Sequence, residues 1–341
     1  MTEEAEEPVT YTDDRKEANL QQVIDEHISD PTMPRYTVVL ENHPGGKIIL
    51  PKHVRLYLRN CGRVILEDSE GDNVFSYVDS EELIILKCKD VDLTVQKPTK
   101  ICDFLNMENC RIKLIDVGTK HTNCNASTVE AIKLSTGKST QNDTHAKYYE
   151  SNFEKLTTEG SNITMDKVSI TFDLIMKKNS EVNGNKVKVR KVDIEESRAR
   201  FIDLMVTEKA KFNKCDLTLL NCMRGIQEME VKESGYICEE IKLLADCKYE
   251  KSSGSLNKSI FLTKLDMTEG QANLDSNEVK GDATFDKTNL IGNEDKFEAS
   301  VSQSEAQSNV LSWTIQGDYS LRELTAIQRE VNVQGSYSAT G

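Results

Sequence analysis

Apolar and polar residues alternate with a period of two along most of this chain, and one stretch alone has the period of a helix. In residues 13–28, Leu20, Val23, Ile24 and Ile28 recur on one helix face among Arg, Lys, Glu, Gln and Asp. That spacing predicts a short amphipathic helix whose apolar stripe docks on a neighbour. Asp13 or Asp14 is placed to cap it, and Asp30-Pro31 to stop it. Residues 36–40 and 47–50 read as strands joined by a hairpin turn at His43-Pro44-Gly45-Gly46. Beyond Pro51 the chain reads as a succession of short strands, with no further helix expected.

Several of these strands share a local form. Residues 58–66, 86–93 and 107–114 each carry an apolar residue, a polar corner next to Cys61, Cys88 or Cys110, and then apolar residues at alternate positions. Alternation puts those residues on one face of a strand. The three cysteines recur at intervals of 27 and then 22, each close to one coil of a parallel β-helix.

A sharper period runs through the C-terminal third. Steps of 18 link Leu243, Phe261, Val279, Phe297, Ile315 and Val333, all apolar. Two positions further on stand Ala245, Thr263, Gly281, Ala299, Gly317 and Gly335, all small, each followed by a polar residue. Val279, Phe297, Ile315 and Val333 are therefore expected to form a shared core. Gly281, Gly317 and Gly335 are expected at corners where φ > 0 is needed, with the next Asp or Ser bonding the turn backbone. A six-residue sub-period lands on Phe285, Ile291, Leu321 and Ile327 but fails at Gln303 and Asn309. An 18-residue coil suits a narrow triangular prism, wrapped by one chain or shared by three. The thin core, with aromatics at 6%, favours a homotrimer.

The elements Gly317-Asp-Tyr-Ser320 and Gly335-Ser-Tyr-Ser338, each preceded by an apolar-x step, resemble repeats in the β-helical spikes of contractile bacteriophage tails. The resemblance covers residues 243–341. It implies a structural subunit of a virion tail or baseplate, made in the host cytoplasm. Spike tips of that family often carry metal-binding histidines, and no histidine follows His145, so a non-tip segment, fibre or wedge part is implied. The Cys/Asn-corner region also faintly resembles the actin-binding β-helix of cyclase-associated proteins.

Charge and composition narrow the chemistry. A net charge of −14 argues against nucleic acid, since phosphate contact needs a surplus of Lys and Arg. No apolar run approaches the length of a membrane span. The start, Met1-Thr-Glu-Glu-Ala-Glu-Glu7, has no secretory pattern, and the nine cysteines read as reduced, buried thiols. The five histidines stand at no metal-ligand spacing, and His121, near Cys124, reads as a loop residue. Phosphate-loop, dinucleotide and nucleophile-elbow motifs are missing. No catalytic residue, cofactor or metal is expected.

A polysaccharide-binding or -degrading β-helix is the alternative. Its candidates are the carboxylate pairs Asp90 with Asp92 and Glu195 with Glu196, and the aromatics Tyr148, Tyr149, Tyr319 and Tyr337. Tyr319 and Tyr337 fall one period apart and would stack as an outward ladder. A cytosolic scaffold is a further alternative. In residues 186–192, Lys186, Lys188, Arg190 and Lys191 alternate with valines. They read as a basic stripe for docking an acidic subunit, as Leu20, Val23, Ile24 and Ile28 read for an apolar one.

The expected architecture is therefore mainly β. Residues 1–53 form an N-terminal adaptor of helix and short strands, residues 54–242 an irregular parallel β-helix, and residues 243–341 a regular β-prism. Its partners would be copies of itself and other structural subunits.

Overall fold

Short parallel strands, each paired with the strand one coil later, build a β-solenoid of about 17 turns with about 18 residues per turn. The computed structural model describes residues 19–28, 36–305, 307–323 and 325–340. These divide into two compact units, Met1–Leu156 with Ser161–Ile163, and Thr157–Gly160 with Thr164–Gly341.

In the first unit, helix α1 (Leu20–Ile28) is capped by Asn19, whose Oδ1 accepts the Gln21 N–H at 3.0 Å. Asn19, rather than Asp13 or Asp14, is thus the cap. Asp13, Asp14 and the expected stop at Asp30-Pro31 lie outside the described residues. Leu20, Val23 and Ile24 are fully buried against the chain's own β1 (Tyr36–Glu41) and β2 (Gly45–Ile48). Gln21 exchanges two hydrogen bonds with the Ile49 backbone, accepting at 2.7 Å and donating at 3.2 Å. It does for that edge what another strand would do.

The residues between β1 and β2 form a corner, not a hairpin turn. The two strands pair in parallel with β3 (Val54–Arg59) and β4 (Arg63–Leu66), one coil later, rather than with each other.

Coil length varies modestly. Ile112 faces Val129, a step of 17, and Val206 faces Ile226, a step of 20, while Val38 to Leu56 and Tyr236 to Gly254 are steps of 18. The cysteine intervals of 27 and 22 are therefore not a coil length. Cys61, Cys88 and Cys110 are inward residues that share a local form without sharing one column.

The coil is set by its corners. At two corners the chain passes through the left-handed region, as at Asn60, Asp79, Asp116 and Lys133 on one edge and Asn109, Ala126 and Asp143 on another. The next residue turns inward: Val117 and Leu134 follow Asp116 and Lys133 as buried apolar residues, and Cys61, Ser80, Cys110, Ser127 and Thr144 are small or hydroxyl-bearing and buried. These side chains link successive coils. The Cys61 N–H donates to Ser80 Oγ (2.9 Å), Cys110 N–H to Ser127 Oγ (3.1 Å), Leu134 N–H to Ser151 Oγ (3.1 Å) and Thr144 N–H to Ser161 Oγ (3.1 Å). Each satisfies a buried donor that the strand ladder leaves free at the bend.

The second unit repeats the device. Cys215 N–H donates to Ser234 Oγ (2.9 Å) and Ser234 N–H to Ser252 Oγ (3.2 Å). Ser259 N–H donates to Asn277 Oδ1 (3.0 Å) and Asn277 N–H to Asp295 Oδ1 (3.0 Å). One left-handed corner column reads Glu196, Lys214, Glu233, Lys251, Glu269, Lys287, Glu305. Its charges alternate, and Lys214–Glu196 (3.8 Å), Lys251–Glu269 (3.7 Å) and Lys287–Glu305 (3.7 Å) pair across coils. Each exposed pair contributes little energy, but a one-coil slip would set like charges together.

From Lys242–Leu243 to Val301–Ser304 each coil has three separate strands, and in the last coils Gln307–Ile315 and Thr325–Val333 each run through two of those positions. One chain wraps all three faces. Val279, Phe297 and Ile315 are buried, with Val333 half-buried in the last described coil. Phe285, Phe297, Trp313 and Tyr319 fill the interior as a continuous aromatic cluster, with Phe297 and Trp313 centroids 4.9 Å apart.

The corner glycines serve close approach and not left-handed backbone. A Cβ on Gly281 would lie 2.5 Å from Thr263 O, and one on Gly335 2.4 Å from Gly317 O. Gly317 meets the Ala299 carbonyl in the same way. The polar residue that follows bonds the next coil rather than its own turn. Asp282 accepts from Ser300 N–H (3.1 Å), and Asp318 from Ser336 N–H (2.9 Å).

Candidate functional site

The docking stripes expected from sequence are largely engaged within the chain. Leu20, Val23 and Ile24 lie under α1, as described, and Ile28 is its last residue. In the basic stretch, Val187, Val189 and Val192 point inward, and Lys186 is a left-handed corner. Lys188 is exposed. Arg190 and Lys191 both pair with Glu208 of the following coil, Lys191 at 3.3 Å, and the Arg190 guanidinium lies 5.6 Å over the Phe172 ring. The stripe is therefore partly neutralised.

The carboxylate pairs are likewise inter-coil contacts. Asp90 is a left-handed corner bonded by Asn109, and Asp92 holds Arg111 at 3.0 Å. Glu196 faces Lys214, and Glu195 accepts weakly from Asn213 at 3.5 Å. His121 lies on the strand Gly118–Asn125 rather than in a loop, half exposed, with Nδ1 3.1 Å from Asp103 Oδ1. Cys124 is buried in the core. Among the described residues no three His, Cys, Asp or Glu side chains are grouped to hold a metal.

Of the aromatic candidates, Tyr148 and Tyr319 point inward, and Tyr149, the last residue of its strand, is half-buried on the other face. Tyr148 is fully buried, edge-on to Phe153 with centroids 4.8 Å apart. Tyr319 is fully buried and Tyr337 is 56% exposed, with ring centroids 5.6 Å apart. They occupy one inward column and not an outward ladder; Tyr337 is uncovered because it belongs to the last described coil. All nine cysteines are buried and unpaired. Burial pushes the thiols of Cys102 and Cys222 up to about 11 and those of Cys124 and Cys238 up to about 12. Those four are inert side chains at neutral pH, while a hydrogen bond with Cys88 draws the Cys110 thiol down.

One surface feature escaped the sequence reading. In the second unit a groove of about 830 Å³ runs over the strands from Gly235–Glu239 to Gln307–Ile315 and on to Ile327. Its centre line is Ile237, Ser255, Asn273, Ile291, Asn309 and Ile327, successive partners in the parallel ladder. Stepping by 18 from Ile237 finds all of them. The groove lies over Gly254 and Ala272, small residues that alternate with these outward positions. A Cβ on Gly254 would fall 1.9 Å from Tyr236 O, so only glycine lets the backbone settle so close to the coil before it.

No protein-family model, curated protein or solved structure matches this chain. Among the described residues no helix is long and apolar enough to cross a membrane.

Proposed function

We propose that the chain is a structural, non-catalytic β-solenoid subunit of a phage-type virion tail or baseplate, serving as a spike, fibre or wedge element. The observation that carries this reading is where the buried polar groups go. Ser80, Ser127, Ser151, Ser234, Asn277 and Asp295 each receive a backbone N–H from the neighbouring coil. They lock coil on coil instead of converging on a reaction centre. Many exposed charges follow the same rule, pairing one coil apart as in Arg63–Glu82 (2.9 Å) and Lys100–Glu81 (2.7 Å). Load along such a stack is carried by backbone ladders, which do not need a thick core. The likeness of the C-terminal repeats to contractile-tail spikes supports the assignment, with copies of the chain, as a homotrimer, and other structural subunits as partners.

Two measurements test it. Light scattering with sedimentation on the intact chain should give three times 38.5 kDa; a monomer at all concentrations would remove the trimer. An antibody against the chain should decorate intact contractile tails from the source; tails that contain none of the chain would remove the assembly role.

A further inference from the structure

The groove is uncharged on a chain in which 29% of residues are charged. The boundary is sharp. On the same face one coil earlier the outward residues are Asp216 and Thr218, and before them Arg198 and Arg200. From Gly235 on, the first two outward positions of each strand are Gly, Ser, Asn, Gln and Ile, and charge stands at the strand ends, at Glu239 and Asp275. Other faces of the same coils remain charged, with Lys264 bound to Asp266 (2.9 Å) and Lys296 to Glu298 (2.9 Å).

The groove amides are also unengaged. Asparagines at strand ends outside the groove lining are tied down, as Asn293 is to Asp275 (3.0 Å) and Asn185 to Asp166 (2.6 Å). The side chains of Gln271, Asn273, Asn289, Gln307 and Asn309 make no hydrogen bond among the described residues. Five amides, each able to donate and accept, thus face solvent in rows spaced by one coil, about 4.8 Å. Between them Ile237, Ile291 and Ile327 stand 54%, 53% and 63% exposed.

We propose that this groove binds a neutral polysaccharide strand lying along the stacking axis of these coils. Sugar hydroxyls both donate and accept, as the amides do, and the C–H faces of the rings suit the isoleucines. An acidic or basic polymer would have to desolvate charges here with no counter-charge to meet them. From Ile237 to Ile327 there are five coil steps, about 24 Å, long enough for a run of several sugars. A second copy of the chain fits less well, because its own groove would meet this one concave to concave. The proposal is independent of the assembly role.

Affinity electrophoresis of the full chain, in gels containing dextran, laminarin, galactomannan or hyaluronan, tests it. At least one of the three neutral polymers should retard the protein, and acidic hyaluronan should not. Asn273→Asp with Asn309→Asp should weaken that retardation at least tenfold relative to polymer-free gels, while Thr284→Asp on another face leaves it unchanged. Ser255→Asp provides a second groove variant should the double variant fail to fold by circular dichroism. Absence of retardation by all three neutral polymers, or retardation that ignores the groove variants, overturns the proposal. So does a wild-type oligomer that the groove variants convert to monomer, which would assign the face to a second copy.

Discussion

Trp313 Nε1 donates a hydrogen bond of 3.0 Å to Oδ2 of Asp295, one coil earlier, and both side chains are buried. Asn277, one coil earlier again, donates to Asp295 Oδ1 through its backbone N–H (3.0 Å) and its side-chain amide (2.9 Å). Three coils are thereby tied through one carboxyl. Burial raises the pKa of Asp295 to about 6, against the lowering effect of the Asn277 and Trp313 donors.

The sign of the resulting pH dependence follows from linkage. A carboxyl raised from 3.8 to about 6 holds its proton more tightly folded than unfolded. Its contribution to stability is fully present below the unfolded value and is lost as pH rises from about 4 to 6. Asp295→Asn cannot titrate. The stability of that variant relative to wild type should therefore rise between pH 4 and pH 7 by on the order of 2 to 3 kcal/mol. Any fixed offset from turning an amide toward the indole cancels in this difference. Denaturant melts that run parallel across the range would show that Asp295 is not raised.

Gly292 makes room for the same indole. A Cβ there would stand 2.2 Å from Trp313 Nε1. Gly292→Ala should cost about 1 to 3 kcal/mol and red-shift the emission of this single tryptophan. In a Trp313→Leu background the same change should cost less, giving a clear coupling energy. Equal costs in both backgrounds would mean that the two residues do not meet.

Ser234 tests the corner device. It accepts the Cys215 N–H at 2.9 Å and donates to Lys232 O at 2.6 Å. Ser234→Ala leaves a buried N–H unpaired, at a cost of about 1 to 3 kcal/mol. Ser234→Cys should cost less, because the equivalent corner residues Cys110 and Cys215 place a thiol there in the native chain. Chemical denaturation ranks the three proteins, and an alanine variant as stable as wild type would remove the ladder's energetic role.

The cysteines were legible as buried thiols from composition alone, and their inertness is measurable. A thiol reagent at pH 8 should label none of the nine in the folded chain and all nine after denaturation. Rapid native labelling of even one would place that residue outside the core.

The C-terminal period was legible because Val279, Phe297 and Ile315 are bulky where Gly281 and Gly317 are small, and the contrast recurs in steps of 18. The six-residue beat failed for reasons visible in the coil. Gln303 does point inward, with its Oε1 taken by the Tyr319 hydroxyl at 3.3 Å. Asn309 points out into the groove. In the earlier coils the same architecture was hidden, because unequal steps such as Ile112 to Val129 and Val206 to Ile226 blur any fixed period. The corner columns escaped too. Left-handed corners are expected to hold Gly or Asn, whereas this chain fills many with Lys and Glu, such as Lys251 and Glu269. Those residues read as ordinary solvated charge until the 18-residue step aligns them. The α1 stripe was correctly apolar, but periodicity cannot say whether the neighbour it covers belongs to the same chain.

The central claim is that one chain closes its own coils in 18-residue register, as Ser302 opposite Ser320 and Ser320 opposite Ser338 require. Paired cysteines test it most directly, since a disulfide forms only when Cα atoms lie within about 7 Å. Under mild oxidation, Ser302→Cys with Ser320→Cys should form a disulfide within one chain. Ser302→Cys with Ser338→Cys, two coils apart, should not. A disulfide that joins Ser302→Cys of one chain to Ser320→Cys of another, or equal oxidation of the two-coil pair, would contradict the claim.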